Sequence, residues 1–330
     1  MYLDVAQALP EIAPDLKRVE ERLLLEVDSD LTFITQVASH LIVAGGKRIR
    51  PSLTLACAGI AASPVPEASI MGGVAVELVH LGSLHHDDVM DKAATRRNVA
   101  SVNEKWDEIT AVLSGDFLLA KASVLAAQVG TEFSELLAST IAELCEGQIR
   151  EHQDAYNSDR TVESYEKSIS GKTASLLSTS CRVGGITAEL SAEEIASVTE
   201  FGRSYGMAFQ ILDDINDLIG DHSVLGKPSG QDVMEGNYTL PVLITLDSPA
   251  GDELRHLLAE EMQPPQLERV LELVRCGSGI RQAKDAAHGW ASKAINALDA
   301  LRNNSHSDKL RTAAQNLAES MLGNVAATVS

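Results

Sequence analysis

Two short acidic stretches constrain this chain more than any other feature: Leu84–Asp91, read LHHDDVMD, and Leu212–Asp217, read LDDIND. In each, two adjacent aspartates are followed by a third three residues later. On a helix the first and third then lie one turn apart on one face, with the middle one offset by about 100°. Each stretch is a comb of carboxylates, and the two are remote enough along the chain for it to fold back and set them facing each other. Facing combs bind hard divalent cations. Aspartate oxygens suit Mg²⁺, which keeps several waters and takes one or two carboxylates per ion together with phosphate oxygens, so the arrangement points to a diphosphate held between them. The plainer alternative makes each comb a solvated helix end. Both combs, however, are entered from apolar runs, VAVELVHLGSL and MAFQIL, and carboxylates ending a buried helix are costly unless paired or metal-bound.

The rest of the composition narrows the class. Over 330 residues no Pro/Gly/Ser-rich linker or break in composition appears, which predicts one large domain. Apolar residues make up 45% and aromatics 4%, so the core has to be built from Ala, Leu, Val and Ile, a mixture that favours packed helices over a sheet. The formal charge of −20 argues against nucleic acid or an anionic membrane surface as partner. Cys57, Cys145, Cys181 and Cys276 are scattered without a CxxC pair, the pattern of reduced, mostly buried thiols in a cytoplasmic protein. The first residues lack a basic region followed by an apolar one, so no signal peptide is expected. The apolar stretch from Ala111 to Val129 carries Asp116 and Lys121, which makes it a poor membrane span, and no transmembrane segment is expected.

Taken in order, Pro14 to Val43 shows the three-and-four spacing of an amphipathic helix followed by a second. Ala44–Pro51, AGGKRIRP, then sets two glycines before three cations and a proline able to open a helix, a ready anion site; a basic surface turn is a reasonable reading for Lys47 alone, but clustered charge in an otherwise acidic chain favours function. The helix Ile70–Met90 carries His80, Ser83, Asp87 and Asp91 on one stripe. His85 and His86 read as structural, because imidazole suits later transition metals better than Mg²⁺. His80 could donate to an anion or be a satisfied core histidine. Arg96 and Arg97, just beyond the first comb, can fork onto phosphate oxygens, the alternative being a solvated pair. Ser168–Ser175, SISGKTAS, fails as a P-loop because Glu166 stands where the first glycine belongs, yet Lys172 and Thr173 remain candidate phosphate contacts. Ser191 and Glu194 form a capping box. The helix Glu200–Leu218 delivers Gln210, Asp213, Asp214 and Asp217. The long glycine-bearing loop Gly220–Leu240, with Lys227 and Asp232, reads as a lid or binding loop.

In this order, AGGKRIRP, HDDVMD with its following arginine pair, GDFL, GKTA, FQILDDIND and LGKPSGQDVMEGNYTLP resemble the trans-isoprenyl diphosphate synthase, or polyprenyl synthetase, family. The resemblance covers roughly residues 44–245, within one polyprenyl synthase domain over 1–330 whose C-terminal helices occupy 246–330. It implies an all-α fold, a single-domain antiparallel helical barrel around a deep central cavity (the isoprenoid synthase type I fold), normally a homodimer. It implies a prenyltransferase that joins an allylic diphosphate to isopentenyl diphosphate, 1′ to 4, with a cluster of Mg²⁺ ions, three per site. Lys47, Arg50, His80 and Arg97 would hold isopentenyl diphosphate. Arg96, Lys172, Thr173, Gln210 and Lys227 would hold the allylic diphosphate. Asp87, Asp88, Asp91, Asp213, Asp214 and Asp217 would supply the metal sites. The resemblance gives the catalytic role to Asp87, Asp91, Asp213, Lys172 and Arg96. No side chain stands out as the base for the final proton, which in the family passes to the released pyrophosphate.

Two departures bear on this assignment. Asn98 and Ala100 stand where the family usually has glycine and proline after the arginine pair, and Asn237 replaces a lysine that can assist the allylic diphosphate, from which weaker binding or a small shift in metal dependence is expected, with activity retained. In the family a bulky aromatic shortly before the first comb stops the growing chain; Gly82 and Ser83 occupy those places here and do not block it, a feature of long-chain synthases. The alternatives are a short-chain farnesyl or geranylgeranyl diphosphate synthase, a class I terpene cyclase, which needs no isopentenyl site, and a non-catalytic subunit of a heteromeric synthase.

Overall fold

With so few aromatic rings, the interior has to be filled by aliphatic side chains presented from helices, and the computed structural model, which describes residues 9–219, 229–258 and 262–323, is built that way. The helices are α1 (Ala13–Glu26), α2 (Thr32–Ala38), α3 (His40–Val43), α4 (Ile49–Ala58), α5 (Glu67–Met90), α6 (Val102–Lys105), α7 (Glu108–Val129), α8 (Thr131–Gln153), α9 (Val162–Ile169), α10 (Ser175–Thr187), α11 (Ala192–Ile219), α12 (Gln231–Met234), α13 (Leu240–Leu246), α14 (Gly251–Leu257), α15 (Pro264–Cys276), α16 (Gly279–Ala297) and α17 (Ser305–Gly323). Among the described residues the strands are β1 (Thr95–Arg96) and β2 (Val99–Ala100), an antiparallel pair with Thr95 opposite Ala100.

The comb-bearing helices are central. Helix α5 is apolar around most of its circumference, with Val74, Ala75, Val76, Leu78, Val79 and Leu81 all buried, as a helix enclosed on all sides must be. It packs on α7, α4, α10 and α1, while α11 packs on α10, α16, α13 and α17. Helix α10 therefore lies between the two and sets their ends on a common space. Ala283, Ala287, Ala291 and Ala294 of α16 are fully buried at helical spacing; these small side chains let its axis come close to α11, the 28-residue helix that runs about 42 Å.

Several boundaries differ from the sequence reading. Helix α5 opens three residues early because Pro66, in an extended conformation, caps it. The capping box Ser191/Glu194 forms as expected, with Glu194 N–H donating to Ser191 Oγ (3.2 Å) and Ser191 N–H donating to Glu194 Oε2 (3.1 Å). The helix it opens is continuous with the one that delivers the second comb. The described part of the loop after that comb contains α12. Cys57 and Cys181 are buried as anticipated, but Cys145 and Cys276 are exposed, and all four are free thiols. Helix α7 is long and apolar enough to span a membrane, and only 39% of its most apolar window is buried; Ile109, Leu113 and Val124 stand 73%, 59% and 54% exposed.

Candidate active site between the two combs

Both combs sit at helix C-termini, where the macrodipole is already negative, so their carboxylates have to be offset by cations. Asp87 and Asp88 occupy the last turn of α5 and Asp91 caps it, its N–H donating to the Asp87 carbonyl (2.8 Å). Asp88 is fully buried and receives Arg96, whose Nε and Nη2 each lie 2.7 Å from Oδ1. Burial lifts Asp87 to about 6, with Lys172 and Arg96 opposing the rise and Asp91 and Glu151 adding to it. On α11, Asp213 is exposed and Asp214 is buried. Asp214 accepts Tyr165 Oη–H (2.5 Å) and Gln210 Nε2–H (2.8 Å). Its burial outweighs both hydrogen bonds and, with the charges of Asp213 and Glu151, raises it to about 7. Asp217 accepts the Gln231 and Asp232 backbone N–H groups (3.3 and 3.2 Å) at the start of α12.

The GKTA motif connects the two combs. Residues Ser170–Ala174 form a π-helical turn between α9 and α10, the kind of bulge that puts side chains out of helical phase and marks functional sites. Its position is fixed by backbone contact with α8: a Cβ on Gly147 would come within 2.5 Å of Lys172 N, and one on Gly171 within 2.5 Å of Glu143 O. Lys172 Nζ pairs with Glu151 Oε1 at 2.5 Å. Burial disfavours its charge, but Glu151, Asp87 and Asp91 hold the ammonium above its ordinary range. Thr173 Oγ1–H donates to Gln210 Oε1 (2.8 Å), whose amide donates to Asp214. Thr173 and Gln210 thus connect the π turn to the second comb by hydrogen bonds, while Lys172 on the same turn is attracted electrostatically by Asp87 and Asp91 of the first. Asp232, half-buried near Asp213, Asp214 and Asp217, is raised well above the carboxylate range by desolvation and those neighbours.

A second cluster lies along α5 toward its N-terminus. Glu77, 1% exposed, takes Arg48 Nη1 at 3.0 Å and faces Arg97 Nη2 at 3.9 Å. Arg48, in the left-handed region, is also held by Glu20 (2.5 and 3.2 Å) and the Ile42 carbonyl (3.0 Å), which makes it a structural cation. Arg50 Nε is buried with no hydrogen-bond partner; burial brings it down to about 10, so it stays protonated at neutral pH. Arg97 donates to the carbonyls of Leu41 and Gly45. His80 is held neutral by burial and by Arg50, Arg97, Arg48 and Arg96. Lys47 is exposed beside this cluster in sequence.

The hairpin accommodates its departures: Arg97 and Asn98, at φ 54° and 62°, form a two-residue turn of the left-handed kind that asparagine tolerates. Asn237 Oδ1 accepts Arg160 Nη1–H (2.9 Å), and the same buried guanidinium donates to Tyr238 O and Ser168 Oγ and pairs with Asp154. Arg160 thereby places a cation against the position where the family has lysine. His85 Nδ1 shares a hydrogen bond with Ser114 Oγ (2.8 Å), and His86 Nε2–H donates to the Val112 carbonyl (3.1 Å). Gly82 is buried against α7; a Cβ there would lie 3.0 Å from Gly115 O and 3.3 Å from Leu119 Cγ. Its smallness serves that contact, so the absence of a side chain there does not by itself open a channel. Ser83 Oγ–H bonds the His80 carbonyl (2.8 Å). Lys227 lies outside the described residues. Among the described residues, a crevice of about 210 Å³ opens between α8 and the outer side of the π turn, lined by Glu143, Gly147, Arg150, Ser170 and Gly171, and another of about 340 Å³ lies around His40 and Val43.

Sequence reasoning missed Glu77, Glu151, Arg160 and Tyr165. Glu77 carried a signal, being the one charge in VAVELVHL and three residues before His80 on the same stripe. Among the described residues no three carboxylate, histidine or cysteine side chains gather closely enough to hold one ion. The donor set fits Mg²⁺, which completes its shell with water and phosphate oxygens.

The polyprenyl synthetase family model matches residues 32–274. The chain is 37% identical to nonaprenyl diphosphate synthase of Mycobacterium tuberculosis over 85% of both chains. It is 34% identical to heptaprenyl diphosphate synthase component 2 of Geobacillus stearothermophilus over 91% of this chain and 94% of that one. The crystal structure of a decaprenyl diphosphate synthase from Rhodobacter capsulatus superposes with TM-score 0.89 at 31% identity, covering 96% of this chain and 99% of the other. The matched family model, these identities over most of the chain and the shared all-α frame place this chain in the polyprenyl synthetase family.

Proposed function

We propose that the chain is a Mg²⁺-dependent prenyltransferase that condenses isopentenyl diphosphate with an allylic diphosphate, 1′ to 4 and trans, to build a long-chain polyprenyl diphosphate. The observation that carries this reading is the hydrogen-bonded run Thr173–Gln210–Asp214, which fixes the π turn bearing Lys172, a cation attracted by Asp87 and Asp91, against the second comb. Asp87, Asp91, Asp213 and their neighbours would hold Mg²⁺, which would screen the diphosphate charge and favour its departure. Lys172 and Arg96 add fixed positive charge where the leaving group gains negative charge, an effect worth about 10²–10³ in rate per preorganised group. Arg50, Arg97 and neutral His80, with Lys47 at the rim, hold isopentenyl diphosphate. As the allylic C1′–O bond breaks and the new C1′–C4 bond forms, the proton lost from C2 of the isopentenyl unit passes to the released pyrophosphate.

The named products of the relatives, nonaprenyl, heptaprenyl and decaprenyl diphosphates, support long chains; Gly82 does not decide it. The exposed apolar row Ile109, Val112, Leu113 and Val124 on α7 supports a homodimer, since rows of this kind mark interaction surfaces. Four free thiols support a reducing, cytoplasmic setting. Residues 1–330 act as one catalytic domain, α16 bracing α11.

Purified protein incubated with labelled isopentenyl diphosphate, allylic primers and Mg²⁺ is expected to give labelled products longer than geranylgeranyl, lost on chelation. Cyclised product without label incorporation would indicate a terpene cyclase. No elongation unless a second protein is added would indicate a subunit of a heteromer.

A further inference from the structure

We infer that Glu151 is a positioning residue: its carboxylate holds Lys172 off the first aspartate comb until a metal-bound diphosphate takes the lysine over. The inference rests on the prenyl-transfer reading above and adds a role for a residue outside the combs.

Three observations carry it. The Lys172–Glu151 pair is short, 2.5 Å, and its side chains are 31% and 15% exposed. Both members are fixed from the backbone, because Gly147, one helical turn before Glu151 on the same face of α8, touches the Lys172 amide, while Gly171 touches Glu143 a turn further back. Glu151 also stands within electrostatic reach of Asp87 on one side and of Asp214 and Asp232 on the other, which puts it between the combs rather than on a solvated face.

The chemistry follows from competition. Lys172 is attracted by Asp87 and Asp91 as well as by Glu151. An ammonium that settled on the comb would neutralise the carboxylates a divalent cation needs. Glu151 supplies a competing anion at contact distance and leaves the comb available. When diphosphate arrives, its oxygens replace Glu151 as the partner of Lys172, so the affinity for the anion is set against the Glu151 pairing.

Glu151→Gln keeps the shape and removes the charge. In calorimetry, inorganic pyrophosphate without Mg²⁺ is expected to bind the variant about fivefold more tightly, the scale of a single ion pair that is not fully buried. The Mg²⁺ concentration that half-saturates binding of an unreactive allylic thiodiphosphate is expected to rise by a similar factor. With Lys172→Ala as background, Glu151→Gln is expected to leave pyrophosphate affinity unchanged. Unaltered binding of both probes in the single variant, or an equal effect with and without Lys172, overturns the inference. Should Glu151→Gln not fold, Glu151→Asp, which keeps the charge and withdraws it by one methylene, is expected to move both quantities in the same directions by less; no movement overturns it. Wild-type protein that binds no allylic thiodiphosphate with Mg²⁺ present would instead refute the prenyl-transfer reading.

Discussion

Replacing Glu77 with glutamine probes the anion-binding half of the site through stability alone. The carboxylate is 1% exposed and contacts Arg48 at 3.0 Å, with Arg97 at 3.9 Å and Arg50 within electrostatic reach. Leaving buried guanidinium groups without their anion costs about 3–5 kcal/mol. Arg48 keeps Glu20, so the lower end applies, about 3 kcal/mol. At about 2 °C per kcal/mol for a chain of this size, thermal unfolding in the absence of ligands should move down by about 6 °C. The same change leaves Arg50 and Arg97 less neutralised, so inorganic pyrophosphate should raise the variant's melting temperature more than it raises that of the wild type. Differential scanning calorimetry with and without pyrophosphate measures both. A variant melting with the wild type, or one that pyrophosphate stabilises no more than the wild type, would refute the assignment of this cluster.

Three further outcomes follow. Gly147→Ala puts a methyl 2.5 Å from Lys172 N; it should displace the π turn and lower kcat/KM by about 10²-fold, and unchanged kinetics would show that the contact does not position Lys172. Gly82→Phe drives atoms into Gly115 O and Leu119, so it should lower the melting temperature as well as shorten the products seen by chromatography; a shortened product at full stability would show that position 82 faces open space. Glu194 is held down to about 2 by Arg302, with burial opposing and Ser191 assisting. A carboxylate depressed in the folded state contributes stability that is present above the unfolded value near 4.5 and is lost as pH falls toward 2. Glu194→Gln should therefore flatten the acid limb of stability between those pH values; an unchanged slope would refute the pairing.

The combs, the arginine pair and the GKTA segment were legible because their chemistry is local: adjacent aspartates on a 3.6-residue period share a face whatever surrounds them. The lone charge in an apolar run could have revealed Glu77. Glu151 could not be told from a solvated acid on an acidic helix, since its role comes from Gly147 meeting a π turn whose departure from α-helical phase leaves no periodic trace. Arg160 was hidden by the turn-like composition of YNSDRT; its partners Asn237 and Tyr238 are distant in the chain. The same limit applies to Gly82, whose neighbour across α7 fixes its meaning.

A crystal structure with Mg²⁺ and an unreactive allylic thiodiphosphate tests the central claim most directly. One diphosphate bridged through metal ions to Asp87 on α5 and to Asp213 on α11, with Lys172 on its oxygens, is the predicted result. A diphosphate held from one comb alone, with the other comb opening to separate solvent, would contradict it.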